Sequence, residues 1–358
     1  MFAFEKKLAV RRKEGNLRRM PGVRNGIDFA SNDYLGLARS ATLKRAIEME
    51  ISRHSHLLGS TGSRLLTGDT PYAEELENQI AAFHGYEAGL LFNCGYMANA
   101  GIFSAVSGSN DALFYDAHLH ASAKEGIRLS LARSFPFRHN DPIHLESRLK
   151  NCCLSGKRFI CIESVYSTDG SLAPLSLYYS LAKKFDAHLI VDEAHAVGTF
   201  GTHGQGLASP ADTFAQITTF GKALGAFGAI VLGSSLLKEA LINLAHSFIY
   251  TTALPFHSLA AIKCSYVLFP KLDVARFHIF NLAKNFFGSK VPIQAFGISG
   301  SEAVKEASRK LNDKGFDVRP LTSPTVQKGR ELLRVCLHNF NTENEVASLI
   351  NALEKLNA

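Results

Sequence analysis

Three short stretches carry residues whose types suit covalent chemistry on an aldehyde cofactor. One is Asp192-Glu193-Ala194-His195, directly after the apolar run Leu189-Ile190-Val191. Another is Thr218-Thr219-Phe220-Gly221-Lys222-Ala223, directly after Ile217, and the third is Asn93-Cys94-Gly95-Tyr96. Lys222 stands in an apolar loop between Phe220 and Leu224. Poor solvation lowers an ammonium pKa, and a neutral amine condenses with an aldehyde. Pyridoxal phosphate is the common aldehyde cofactor, and its ring nitrogen needs an acidic partner. Asp192 fits: an ionised carboxylate keeps that nitrogen protonated and makes the ring an electron sink. The 30 residues from Asp192 to Lys222 leave room for one helix and a neighbouring strand.

The cofactor phosphate needs donors. Gly95 lets the backbone approach closely, a helix starting near Tyr96 offers free N–H groups and a favourable dipole end, and Thr219 adds a hydroxyl. His120, in Leu119-His120-Ala121-Ser122, is a candidate to lie over the ring face.

Each stretch also has a plainer reading. A carboxylate and a histidine after a strand serve as helix caps, a glycine-lysine pair is commonly a surface lysine, and a single histidine is commonly a satisfied core residue. Asp-Glu-Ala-His also names a helicase class, but a nucleoside triphosphatase needs a phosphate loop ending in Gly-Lys-Ser or Gly-Lys-Thr. Gly221-Lys222 is followed by Ala223, and Gly156-Lys157 by Arg158 with Asn151 at the leading position. The helicase reading fails on both.

Positioning these groups requires a sheet. Ala88–Phe92, Ala112–Tyr115, Arg158–Glu163, His188–Val191, Gln216–Thr219 and Ala229–Leu232 read as strands. Helical patterns run over Ala121–Leu131 and Leu175–Phe185. Such alternation predicts an α/β fold, a mainly parallel sheet flanked by helices. A helix over Pro71–Phe83 precedes it, with Thr70 as cap and Pro71 in the first turn. Three parts are expected: an N-terminal helical arm (1–35) with a short strand ending at Ser31, a large cofactor-binding domain (36–255), and a smaller C-terminal α+β domain (256–358). The three chemical stretches then fall at strand ends, where open α/β sheets bind ligands.

Bulk properties agree with a soluble enzyme of 358 residues, 46% hydrophobic and 20% charged. No apolar run reaches the ~18–20 residues of a membrane span; Ala223–Leu237 is interrupted by glycines and serines. Arg11, Arg12 and Lys13 lie between Glu5 and Glu14 and no secretory apolar core precedes them, so the cytoplasm is the expected compartment. The six cysteines lack C-x-x-C spacing and read as reduced thiols; no metal site is expected. The net charge of +7 suits anionic ligands. Its basic residues are scattered, with a concentration at Arg11–Arg19 and little aromatic interleaving, so no nucleic-acid surface is expected.

Taken together these motifs resemble the α-oxoamine synthases, fold-type I pyridoxal-phosphate enzymes that condense an amino acid with an acyl thioester and release CO2. The likeness runs from Ser31-Asn32-Asp33-Tyr34-Leu35-Gly36 through Gly59-Ser60-Thr61-Gly62-Ser63-Arg64 and His120-Ala121-Ser122 to Arg330-Glu331-Leu332-Leu333-Arg334. The resemblance implies that Lys222 carries the cofactor and shuttles the Cα proton, and that Asp192 pairs with the pyridine nitrogen. It further implies that His195 and Ser167 bond near the phenolic oxygen, that His120 stacks on the ring, and that Gly95, Tyr96 and Thr219 surround the phosphate. Tyr250-Thr251-Thr252 looks like the segment that reaches the phosphate across a dimer interface, which implies a homodimer with shared sites. Arg334 matches the clamp on the amino-acid carboxylate, and Arg18 and Thr325 match contacts to the acyl substrate.

Within the family, Ser31–Gly36, Gly95–Asn99 and Ser323-Pro324-Thr325-Val326 look most like the biotin-synthesis branch, which joins L-alanine to a pimeloyl thioester on CoA or an acyl-carrier protein. Other branches join glycine to acetyl-CoA or succinyl-CoA, or serine to palmitoyl-CoA. Cys94 stands where serine is common, Leu119 replaces a frequent asparagine, Gln327 replaces a frequent proline, and the stretch from Pro270 to Pro292 is short for the family.

Overall fold

The computed structural model describes all residues except Met1, Arg19, Pro21, Val23, Arg24, Asn25 and Ala358. The basic concentration expected over Arg11–Arg19 therefore ends, at Arg19, outside the described residues. The chain divides into two compact units. The smaller comprises residues 1–34, 167–170 and 274–358, and the larger comprises 35–166 and 171–273.

In chain order the strands are β1 (Ile27–Asp28), β2 (Ala88–Phe92), β3 (Ala112–Asp116), β4 (Arg133–Phe137), β5 (Arg158–Glu163) and β6 (Ala187–Asp192). They continue with β7 (Ala215–Thr219), β8 (Ala229–Gly233), β9 (Ile293–Gly297), β10 (Phe316–Asp317), β11 (Arg319–Leu321) and β12 (Leu332–Cys336).

A seven-stranded sheet in the order β2-β8-β7-β6-β5-β3-β4 forms the larger unit. Only β8 runs against the others, pairing antiparallel with both β2 and β7. Central strands such as β5 and β8 are near-continuous apolar runs because both faces are covered. Strand β4, Arg-Ser-Phe-Pro-Phe, has no such signal and was not expected from the sequence. It lies at the sheet edge, where Pro136 forfeits no ladder bond to a further strand. The helix at Pro71–His84 begins as expected, with Thr70 Oγ1 accepting the Ala73 N–H at 3.2 Å.

Register brings Glu163 beside Asp192 and Asp192 beside Ile217. With β2, β3, β5, β6 and β7 all running the same way, their carboxyl ends share one edge of the sheet, followed there by Asn93, Ala117, Ser164, Glu193 and Phe220. Helix Phe256–Leu268 belongs to this unit, packing against helices Ala41–Ser52 and Pro71–His84.

The smaller unit holds a three-stranded antiparallel sheet, β11-β12-β9, and a parallel β1-β10 pair. Its first strand stops at Asp28 rather than Ser31, because Asp28 Oδ1 accepts the N–H groups of Ala30 and Ser31 and turns the chain out of extension. Val304, Leu311, Leu333, Val335, Leu349 and Leu353 are the centre of its core.

Candidate active site

Asp192 is the last residue of β6 and only 6% exposed. Its Oδ1 accepts the Ala194 N–H at 3.0 Å and its Oδ2 accepts Asn99 Nδ2 at 2.9 Å. Both donors are neutral amides, so no cation of this unit sits on the carboxylate oxygens through these bonds. A protonated pyridine nitrogen is a chemically matched partner for such a group.

Lys222 lies half-buried in the turn after β7, among buried Phe220, Ala223 and Leu224 as the sequence suggested. The turn is closed by Gly225 N–H to Lys222 O at 3.0 Å and Ala226 N–H to Phe220 O at 2.9 Å. His120 caps helix Ala121–Leu129; its Nδ1 accepts the Ser122 N–H at 3.2 Å and lies 2.7 Å from Ser122 Oγ. Partial burial pulls the His120 pKa down; Asp192 opposes that shift, and Lys222 and Lys124 add to it. His120 thus faces both Asp192 and Lys222 at the carboxyl edge of the sheet.

Helix Gly95–Ala105 starts beside this group. Cys94 precedes it with no side-chain cap, leaving first-turn N–H groups for another acceptor. A Cβ on Gly95 would lie 3.4 Å from Thr219 Cβ, so glycine keeps open the space between the helix start and the end of β7. Thr219 Oγ1 donates to Gly228 O at 3.3 Å. Tyr96 is half exposed. An open glycine, a helix start and a hydroxyl make a cradle of the right chemistry for a phosphate. The donor set therefore fits pyridoxal phosphate on this unit: Gly95 and Thr219 could take its phosphate, Asp192 its ring nitrogen and Lys222 its aldehyde carbon.

His195 is buried on the turn after β6. Thr251 and Thr252 meet Asn93 of the same chain, whose Nδ2 lies 3.5 Å from Thr251 Oγ1 and donates to Thr252 O at 2.9 Å. Arg64 anchors the Gly59–Arg64 loop through an ion pair to fully buried Glu77 at 2.7 Å.

The remaining candidates belong to the smaller unit. Arg334, half-buried on β12, donates Nε to Ser167 O at 2.6 Å and Nη2 to Asn32 Oδ1 at 2.8 Å. Asn32, from the Ser31–Gly36 motif, thus helps fix the plane of the Arg334 guanidinium within the smaller unit. Arg18 Nη2 meets Thr325 Oγ1 at 3.4 Å, both exposed.

Sequence reasoning named neither Asn99 nor Ser122 as site residues, although both lie inside motifs it quoted. Their signal is spatial: Gly126 lets the two helices approach so closely that a Cβ there would stand 2.6 Å from Asn99 O. Glu193 is also more than a motif letter. It is fully buried, its Oε2 accepts the Leu207 N–H at 2.7 Å, and burial pushes its carboxyl up to about 7.

Residues 24–353 match the model of the family described as aminotransferase class I and II. A protein of Emericella nidulans named 8-amino-7-oxononanoate synthase is 38% identical, the match covering 96% of this chain and 93% of that one. The solved 8-amino-7-oxononanoate synthase of Francisella tularensis superposes with a TM-score of 0.78 at 29% identity, over 92% of this chain and 97% of that one. A structure titled SPT with PLP internal aldimine shares the fold, with a TM-score of 0.88 at 24% identity over 99% of this chain and 97% of that one.

Proposed function

Since the chain belongs to the aminotransferase class I and II family, and within it to the α-oxoamine synthases, we propose that it is a pyridoxal-phosphate-dependent C-acyltransferase of biotin biosynthesis. In this reading it condenses L-alanine with a pimeloyl thioester to give 8-amino-7-oxononanoate, CO2 and free thiol. The observation that carries the proposal is likeness over most of the chain to relatives of that name, 36–38% identical in Emericella nidulans and Saccharophagus degradans. The acidic, basic and phosphate-binding groups described above support it.

Bound pyridoxal phosphate supplies an electron sink for the negative charge that develops at the amino-acid Cα. Asp192 holds the ring nitrogen protonated, and Asn99 holds Asp192 in place. The Lys222 amine takes the Cα proton and returns one to the product after CO2 departs. His120 would cover the ring face, while His195 with Ser167 would serve the phenolic oxygen. Gly95 and Tyr96 would receive the phosphate through first-turn backbone N–H groups, and Thr219 would add its hydroxyl once that turns from Gly228 O. Arg334, oriented by Ser167 and Asn32, clamps the alanine carboxylate. Arg18 and Thr325 meet the acyl chain.

On this reading residues 36–255 carry the cofactor chemistry, and the arm (1–35) with residues 256–358 carries the substrate contacts. The working form is a homodimer in which Thr251 and Thr252 also serve the partner's phosphate; the 77% exposure of neighbouring Tyr250 supports an interface there. The six free cysteines accord with a reducing cytoplasm. Thiol release from matched pairs of amino acid and acyl thioester tests the assignment: alanine with a pimeloyl thioester is the pair expected to react.

A further inference from the structure

The hydrogen bonds that lead from Asp192 to His120 have a direction. Asn99 Nδ2 carries two hydrogens; one goes to Asp192 Oδ2 at 2.9 Å and the other to Ser122 Oγ at 3.0 Å. A carboxylate only accepts, so the nitrogen of the amide must face Asp192. Ser122 Oγ, having accepted from Asn99, has its own hydrogen left for His120 Nδ1 at 2.7 Å. The Ser122 backbone N–H points at the same ring nitrogen from 3.2 Å. A nitrogen that receives two hydrogen bonds carries no proton of its own.

We propose that Asn99 and Ser122 are positioning residues that hold His120 neutral, with its proton on Nε2, in an order set outward from Asp192. The inference rests on the reading of Asp192 and Lys222 as the cofactor site, and gives that site two further members. The charged groups facing His120 are Asp192 at the end of β6, Lys222 in the turn after β7 and Lys124 on its own helix. Helix Gly95–Ala105, packed alongside, contributes no charged side chain. Asp192 alone would draw a proton onto the imidazole; the Ser122 donors at Nδ1 work against that. A neutral ring over the cofactor adds no second positive charge beside a protonated pyridine and leaves the Asp192 charge for that nitrogen.

The test is nitrogen NMR of ring-labelled histidine across a pH titration, on protein with and without added pyridoxal phosphate. The chain has 14 histidines, and His120→Asn identifies the signal by its loss. Expected is a neutral His120 with Nε2 protonated in both forms. Ser122→Ala should raise its titration midpoint by about half to one pH unit, the worth of one hydrogen bond, and admit the Nδ1-protonated form. Ser122→Thr, which keeps the hydroxyl, should restore the native pattern. A native His120 protonated at Nδ1, or a Ser122→Ala protein with an unchanged tautomer and midpoint, overturns the proposal. Borohydride trapping of the cofactor on Lys222 is scored separately. Its failure, with the tautomer result intact in cofactor-free protein, would sink the cofactor reading and spare the hydrogen-bond chain.

Discussion

Asn99 Nδ2 lies 2.9 Å from Asp192 Oδ2, joining a helix to the carboxyl end of a strand 93 residues later in the sequence. The bond orients a carboxyl group that is only 6% exposed. Asp192→Asn keeps the shape and removes the charge. Turnover is expected to fall on the order of 10²–10³-fold, the usual scale for losing one preorganised electrostatic partner. Cofactor should still be trapped on Lys222 by borohydride. Near-native turnover of Asp192→Asn would remove the carboxylate from the mechanism.

Lys222→Ala removes the only amine assigned to the cofactor carbon. The expected result is no thiol release above background, and no cofactor mass on the peptide spanning Gly221–Ala223 after borohydride reduction. Mass found on another lysine would reassign the attachment point.

Arg334 is held by Ser167 O and Asn32 Oδ1 at 2.6 and 2.8 Å. Lysine keeps the charge but not the planar fork. Arg334→Lys should raise KM for alanine about 10–100-fold, the range for a lost charge-assisted hydrogen bond, with a smaller change in kcat. Steady-state kinetics at saturating thioester would show this, and an unchanged KM would argue against the clamp.

Burial raises the Glu193 carboxyl to about 7 from an ordinary 4.5. Folded protein then binds this proton more tightly than unfolded protein does. The stabilisation is complete below the ordinary value, declines as pH rises, and is gone above about 7. Glu193→Gln cannot ionise, so its Tm relative to the native protein should climb between about pH 4.5 and about pH 7 and level off above. A constant difference across that range would mean that the native carboxyl does not titrate there.

Much of the sheet was legible because its buried strands are short apolar runs bounded by polar turns, as at β5 and β8. Edge strand β4 was not, since an exposed strand containing Pro136 has no hydrophobic pattern to read. Local pattern also says nothing of the pairing of Ile27 with Phe316, which ties the N-terminal arm to residues almost 300 positions later. Asp192 and Lys222 stood out because their chemistry is distinctive at a strand end. Asn99 and Ser122 did not, because an amide in a helix and a serine after a cap are ordinary until close helix packing at Gly126 brings them together.

The central claim is the reaction itself, and thiol release tests it most directly. Purified, cofactor-loaded protein is offered alanine, glycine and serine, each with pimeloyl, acetyl, succinyl and palmitoyl thioesters. Release with alanine and the pimeloyl thioester alone is the expected result. Release only with glycine or serine, or with another acyl group, would contradict the biotin assignment while keeping the family. No release from any pair, despite cofactor trapped on Lys222, would contradict acyl transfer altogether.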